Sequence, residues 1–168
     1  MKIMGIDQSL TGTGCVIVED SEIIFHEYLP SSPKDGDVYF RVNMLTNKLV
    51  KIAIDQEPDG VSIEGISMGS KGHIADLGGL QHVIINHLRY DLNLNIEVIP
   101  PTTLKKNAAG KGNATKWMMY DALPDHVREL FEDEYKFSKR ESKTMSGSGF
   151  DMTDAYHIAA NSCWHKIN

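Results

Sequence analysis

Four acids stand where an acid can do chemistry. Asp7 closes the run Met4-Gly5-Ile6-Asp7, Glu64 closes Val61-Ser62-Ile63-Glu64, and Asp151 and Asp154 open the apolar C-terminal segment. Taken singly, each has a plain explanation. An Asp before a Gly-containing turn initiates the turn, and acids near a helix start cap it and meet its dipole. Taken together they point further. Ligands of α/β sheets bind at the carboxyl ends of strands, and a spacing of three puts Asp151 and Asp154 on one helix face. Carboxylates gathered in one place repel one another, and some stay protonated unless a cation binds. Hard oxygen ligands select Mg²⁺ or Mn²⁺ over zinc. Two such ions about 4 Å apart can activate a water and stabilise the leaving oxygen of a phosphodiester.

The elements that must position these acids follow from pattern. Lys2 to Asp7 reads as a buried strand, with Cys15 to Glu19 and Glu22 to Tyr28 as a hairpin joined at Asp20-Ser21. Val38 to Gln56 has apolar residues at helical spacing, and Pro58-Asp59-Gly60 breaks it. Val61 to Glu64 is a fourth strand, His73 to Tyr90 a long helix, and Ile96 to Ile99 a fifth strand ended by Pro100-Pro101. Thr102 to Gly112 is irregular or a short helix, and Ala114 to Leu123 is helical. Pro124 suits the first turn of a helix reaching about Tyr135. Ser138 to Gly149 is polar and has the composition of a mobile loop. Phe150 to His165 is a last helix whose Ala155, Ala159 and Ala160 allow tight packing on a sheet. Three strands, then helix and strand in alternation, is a mixed α/β order: an antiparallel hairpin joined to parallel strands through crossover helices. No repeat and no domain boundary interrupts residues 1–168, which read as a single domain.

Between Glu97 and Asp121 there is no acid, while Lys105, Lys106, Lys111 and Lys116 fall there around Gly110 and Gly112. This is either a solvated basic loop or a phosphate-binding strip. It is not a nucleotide-binding P-loop, because no Gly-Lys-Ser/Thr follows at the required spacing. His157 lies one turn beyond Asp154 and reads first as a hydrogen-bonded residue at the core edge, second as a proton carrier. Asp121, Asp125, Glu129, Glu132, Asp133 and Glu134 read as a solvated helix face. Lys136, Lys139, Arg140 and Lys143 after them are candidates to reach DNA, and Trp117 and Trp164 are expected in the core.

Composition bounds the rest. With 168 residues, 41% hydrophobic and 24% charged, the chain is an ordinary globular size and balance. No apolar run approaches the ~20 residues that span a bilayer, so a cytosolic protein without membrane contact is expected. Cys15 and Cys163 lie in no metal-ligand spacing and are expected reduced and buried. A net charge of −6 counts against a non-specific nucleic-acid coat. It does not exclude a nuclease whose acids are neutralised by cations.

Several of these motifs resemble one family. Gly5-Ile6-Asp7 before a Ser- and Gly-containing turn, Ile63-Glu64, and Asp151-x-x-Asp154-Ala155 in an Ala-rich helix are similar to RuvC-type Holliday junction resolvases, over about Lys2 to Ala160. The resemblance implies a ribonuclease H-like α/β fold, a mixed five-stranded sheet with flanking helices. It implies a homodimeric, metal-dependent endodeoxyribonuclease that makes paired nicks in four-way junctions. By resemblance, Asp7, Glu64, Asp151 and Asp154 are the catalytic acids that hold Mg²⁺ or Mn²⁺, two per site. The family's two important lysines, flanking a Gly-x-Gly turn, match Lys105 and Lys116 around Gly110-Lys111-Gly112. Lys105, Lys106, Lys111, Lys116, Met68 and Lys71 are then the expected DNA contacts. Where family members often carry an aromatic wedge, this chain has Ile66-Ser67-Met68, a departure that leaves junction choice open. The homodimer is expected through the helix His73 to Tyr90, whose Ile74, Leu77, Leu80, Val83, Ile84, Ile85 and Leu88 spread wider than one core stripe. Three other readings stand beside this one: a broader branched-DNA or flap nuclease, a fragment of an actin-like ATPase or sugar kinase, and a non-catalytic junction-binding protein.

Overall fold

A computed structural model gives the fold for residues 1–66, 74–140, 142 and 146–166, with backbone alone at 165 and 166. Strands β1 (Lys2–Asp7), β2 (Gly12–Glu19), β3 (Glu22–Pro30), β4 (Gly60–Glu64) and β5 (Asn95–Ile99) form one sheet in the order β3-β2-β1-β4-β5. The pairs β1–β2 and β2–β3 are antiparallel, while β1–β4 and β4–β5 are parallel. The mixed five-stranded α/β expectation is met. Asp20 and Ser21 make the hairpin with left-handed backbone at both central positions, φ 50° and 73°, as a two-residue turn between twisted strands requires.

Helices cover both faces. On one side lie α1 (Val38–Gln56) and α2 (Ile74–Asn86), which runs on as a single π turn over His87–Asp91. Asp37 caps α1 by accepting from the Phe40 amide at 2.8 Å, and Glu57 ends it in the left-handed region, φ 48°. Met4, Ile6, Ile17, Val61 and Ile63 meet Leu45, Leu49, Leu80 and Ile84 in this core. On the other side lie α3 (Pro101–Ala109), α4 (Lys116–Asp121), α5 (Asp125–Glu134) and α6 (Ser148–Ala160). There Ile3, Val16 and Val18 meet Val127, Phe131, Phe150, Met152, Ala155 and Ala159. The strand period of two therefore sends Met4 and Ile6 one way and Ile3, Gly5 and Asp7 the other. The same alternation in β4 puts Ser62 and Glu64 on the α6 side.

Helix α6 lies against the sheet because two strand positions lack side chains. A Cβ at Gly5 would fall 2.3 Å from the Ala155 carbonyl oxygen, and one at Gly14 would fall 2.4 Å from that of Asp151. Any larger residue at either position would lift α6, and Asp151 and Asp154 with it.

Several expectations change. Of the two alternatives for the segment after β5, the short helix is the one found, starting at Pro101, which sits in its first turn, where no amide donor is needed. The helix expected over Ala114 to Leu123 is shortened to α4, since Thr115 caps it by accepting from the Met118 amide. The last helix stops at Ala160, followed by a short 3₁₀ turn over Cys163–Lys166. Cys15 is buried as expected, but Cys163 is only partly so. Residues 146–149 do not form a loose loop. Ser146 accepts from the Ser138 amide at 2.9 Å, and the Gly149 amide donates to Lys136 at 3.0 Å as α6 begins. Arg140 is not held out toward a ligand. Its guanidinium forks onto the Asp121 carboxylate and lies 4.5 Å over the Trp117 ring. Lys143 lies outside the described residues, as does the first residue of the helix expected from His73. No described helix is long and apolar enough to cross a membrane.

Candidate active site

Sheet register brings the first two acids together. Ile6 of β1 pairs with Ile63 of the parallel strand β4, so Asp7 and Glu64 follow side by side, about 4.8 Å apart in strand spacing. Both side chains rise on the α6 face, where the first turns of α6 present Asp151 and Asp154. All four acids line one open cleft of about 430 Å³, together with Lys105 from α3 and Lys116 from the start of α4. The expected acids and the two expected lysines thus share one site. Lys106 and Lys111 are exposed but do not line the cleft, which limits them to a part outside it. Ile66 lines the cleft, while Met68 and Lys71 lie outside the described residues.

The carboxylates destabilise one another's charge. Asp7 is held well above its ordinary value by burial first, then by repulsion from Asp154, Glu64 and Asp151, with Lys116 opposing. Burial and then the Glu64 charge push Asp154 up to about 7, against Lys116. Glu64 is raised by burial and pulled back by Lys105, Lys116 and the facing Asp7 carboxyl. Asp151 is raised by burial and pulled back by Lys116, whose Nζ stands 3.7 Å from Asp151 Oδ1. Lys116 also sits over the Phe150 ring, 5.5 Å from its centre. The face of the Phe150 ring and one carboxylate thus steer a cation that would otherwise swing free.

In donor chemistry this set fits a hard divalent cation: four carboxylates, no thiolate, and an excess of negative charge that burial makes costly. Among the described residues no three His, Cys, Asp or Glu side chains stand as a ready coordination cluster. Glu64 is turned toward Asp7, and Asp151 toward Lys116. Coordinating a cation would call for rotation of these short side chains out of those pairings.

The surrounding shell contains residues that spacing did not single out. Gln8 and Gln81 both donate through Nε2 to the Glu64 carbonyl oxygen, each at 2.7 Å. Both are buried. Gln8 is the residue after Asp7, so this bond ties the end of β1 to the end of β4. Arg41 of α1 is buried too, donating to Ser31 Oγ at 2.9 Å and to the Leu10 carbonyl. It anchors the turn that follows Asp7. His157 is buried and donates through Nε2 to the Met119 carbonyl at 2.8 Å. Burial lowers its pKa, so a neutral imidazole pins α4, and Lys116 with it, onto α6. The core-edge reading of His157 holds over the proton-carrier one.

No protein-family model matches the sequence, and no curated protein is found similar to it. Solved structures do match. Thermus thermophilus RuvC superposes with a TM-score of 0.71 at 19% identity, over 99% of this chain and 95% of that one. The fowlpox virus resolvase, solved with substrate Holliday junction DNA, gives 0.60 at 13% identity over 100% of both chains. The yeast mitochondrial Holliday junction resolvase Ydc2 gives 0.59 at 16% identity, over 94% of this chain and 75% of that one. The fold that the resemblance implied is therefore the fold found: this chain has the mixed five-stranded, ribonuclease H-like architecture of these solved structures.

Proposed function

We propose that this protein is a metal-dependent DNA endonuclease that resolves four-way junctions by paired, symmetric nicks. The observation that carries the reading is the single cleft at the carboxyl ends of β1 and β4, lined by Asp7, Glu64, Asp151, Asp154, Lys105 and Lys116. Solved proteins of this fold are known in complex with Holliday junction DNA, including T. thermophilus RuvC and the fowlpox resolvase.

In this reading the four acids hold Mg²⁺ or Mn²⁺, two per site. The bound ions would supply Lewis-acid charge at the phosphate and promote its hydrolysis by water. Lys116 and Lys105 bring fixed positive charge to the phosphate as negative charge develops there. Gln8, Gln81 and His157 hold the strand ends and α4 so that these groups keep their geometry. A homodimer presents one such site to each of two opposed strands, and its candidate contact is the outer face of α1 and α2. Tyr39 is 81% exposed there, Phe40 56% and Ile74 37%.

A broader branched-DNA nuclease is the second reading, favoured by the absence of an aromatic in Ile66-Ser67-Met68. One gel assay separates them. With Mg²⁺, the protein should cut a synthetic four-way junction at two symmetric positions and leave duplex intact. Equal cutting of a flap would favour the second reading, and cutting in EDTA would remove the metal from either. Asp7→Asn, Glu64→Gln and Asp154→Asn should each abolish cutting while leaving junction binding largely intact. Full activity in any of the three would contradict the acid assignment.

A further inference from the structure

We infer that Tyr28 is a DNA-contacting residue beside this site, outside the lining of the cleft, its hydroxyl donating a hydrogen bond to a backbone phosphate on the side away from Lys105. The inference rests on the nuclease reading above. It begins with register: Asp7 pairs with Gly14, and Gly14 with Tyr28. Residues in one row across a sheet project to the same face, so Tyr28 rises on the face that carries Asp7 and the acids of α6.

Between them β2 has glycine at alternate positions, and each missing side chain lets a neighbour come down onto the strand. Gly14 passes beneath the Asp151 backbone. At Gly12 the Tyr28 ring takes the space of the missing side chain: a Cβ would lie 1.8 Å from Tyr28 Oη and 2.4 Å from Cζ. The ring therefore leans along β2 toward its first residue, past the end of β1, and the hydroxyl arrives at the acid end of the sheet. Burial, then the charges of Asp151 and Asp7, raise the phenol's pKa, so it remains a neutral donor in acid-rich surroundings.

Among the described residues this hydroxyl makes no hydrogen bond. Two other tyrosines of the same layer are engaged: Tyr120 donates to Glu132, and Tyr135 pairs with His26 Nδ1 at 2.7 Å. The sheet order places β3 on the opposite side of Asp7 from β5 and α3. A DNA strand crossing the acids would thus meet Lys105 on one side and the Tyr28 hydroxyl on the other. A neutral hydroxyl suits a phosphate oxygen, since such contacts fix register on DNA without reading sequence.

The test is Tyr28→Phe, which keeps the ring over Gly12 and removes only the oxygen. Junction binding is measured in EDTA across a salt series, beside wild type, Lys105→Ala and Asp154→Asn. The expected result is about tenfold weaker binding by Tyr28→Phe, an unchanged melting temperature and an unchanged salt slope, because a phenol displaces no counterion. Lys105→Ala should instead lower the slope by about one. Gly12→Ala, which displaces the ring, should weaken binding at least as much. Wild-type binding by Tyr28→Phe overturns the inference, as does a loss of melting temperature that accounts for the weakening. Failure of the wild-type protein itself to bind or cut branched DNA overturns the nuclease reading. Binding and cutting by wild type with an indifferent Tyr28→Phe overturns the Tyr28 inference alone.

Discussion

The Gln81 amide of α2 donates to the carbonyl oxygen of Glu64 at 2.7 Å, and so fixes the end of β4 from the helix side. Gln8 reaches the same oxygen from the β1 side. Gln81→Leu leaves the helix packed but removes one donor from a buried carbonyl, which costs about 1–2 kcal/mol. The rate of cutting should fall by about tenfold, with KM little changed, because what is lost is the aim of Glu64 and not contact with DNA. Gln8→Leu should act in the same direction. The double variant should lose less than the product of the two effects, since both bonds serve one oxygen. Single-turnover rates and melting curves check this. Loss of melting temperature with an unchanged rate would reduce both glutamines to packing.

The raised pKa of Asp154, about 7 against an ordinary 3.8, makes stability depend on pH with a definite sign. An acid whose folded pKa exceeds its unfolded one binds its proton more tightly when folded. Its contribution is fully present below about pH 4 and is lost as pH rises through about 7. Asp7, Glu64 and Asp151 shift in the same direction. In EDTA the melting temperature should therefore fall between pH 5 and pH 8, by about 2–4 °C for each kcal/mol lost in a chain of this size. Mg²⁺ should restore it at pH 8 and do little at pH 5, where protons compete for the same oxygens. Asp154→Asn should flatten the EDTA curve. A flat wild-type curve, or a Mg²⁺ effect equal at both pH values, would count against a strained carboxylate cluster.

How this site was legible in the sequence depends on the range of each interaction. Asp7 and Glu64 could be read because each closes a strand that pattern alone defines, and Asp151 and Asp154 because a spacing of three puts both on one face of the last helix. Gln81 could not: its partner is 17 residues away across a crossover, and nothing in Gly79-Leu80-Gln81 marks an inward amide. Tyr28 depends on register with Gly14 and on an empty Gly12, facts that belong to the sheet and not to any one strand. The pairing of Arg140 with Asp121 could not be read, because the acid lies 19 positions earlier and the polar run around Arg140 does not mark it. The helix after β5 was ambiguous because Pro100-Pro101 reads equally as a break and as a start.

Lys116 lies 3.7 Å from Asp151 and opposes the upward pKa shift of all four acids. Lys116→Ala should slow the chemical step by about 10²–10³-fold, the scale for losing one charge-stabilising group, with a smaller effect on junction binding. Lys105→Ala should do the same less strongly. Removing the ammonium also lifts an influence that holds the acids down. The acid limb of the pH–rate profile should therefore move to higher pH in Lys116→Ala. Weaker binding with an unaltered single-turnover rate would make Lys116 a backbone contact only.

Leu80, Ile84 and Leu88 turn into the core, and Leu77 and Ile85 pack partly against it. That accounts for much of the apolar spread of α2. What remains faces outward with α1: Ala75, Gly79 and Val83 line a groove with Val38, Tyr39 and Val42, and Ile74 is exposed. A Cβ at Gly79 would meet nothing within 4 Å, so another backbone can come close there. Exposed aromatics beside an approachable helix suit a two-fold contact, in which each copy presents the same patch to the other. A homodimer through this face should sediment as such at micromolar protein, burying at least about 1,200 Å² in total. Tyr39→Asp with Gly79→Glu should give a folded monomer that nicks one junction strand without the coordinated second cut. A wild-type monomer, both free and on junction DNA, would rule out paired resolution by two like subunits and would favour the branched-DNA nuclease.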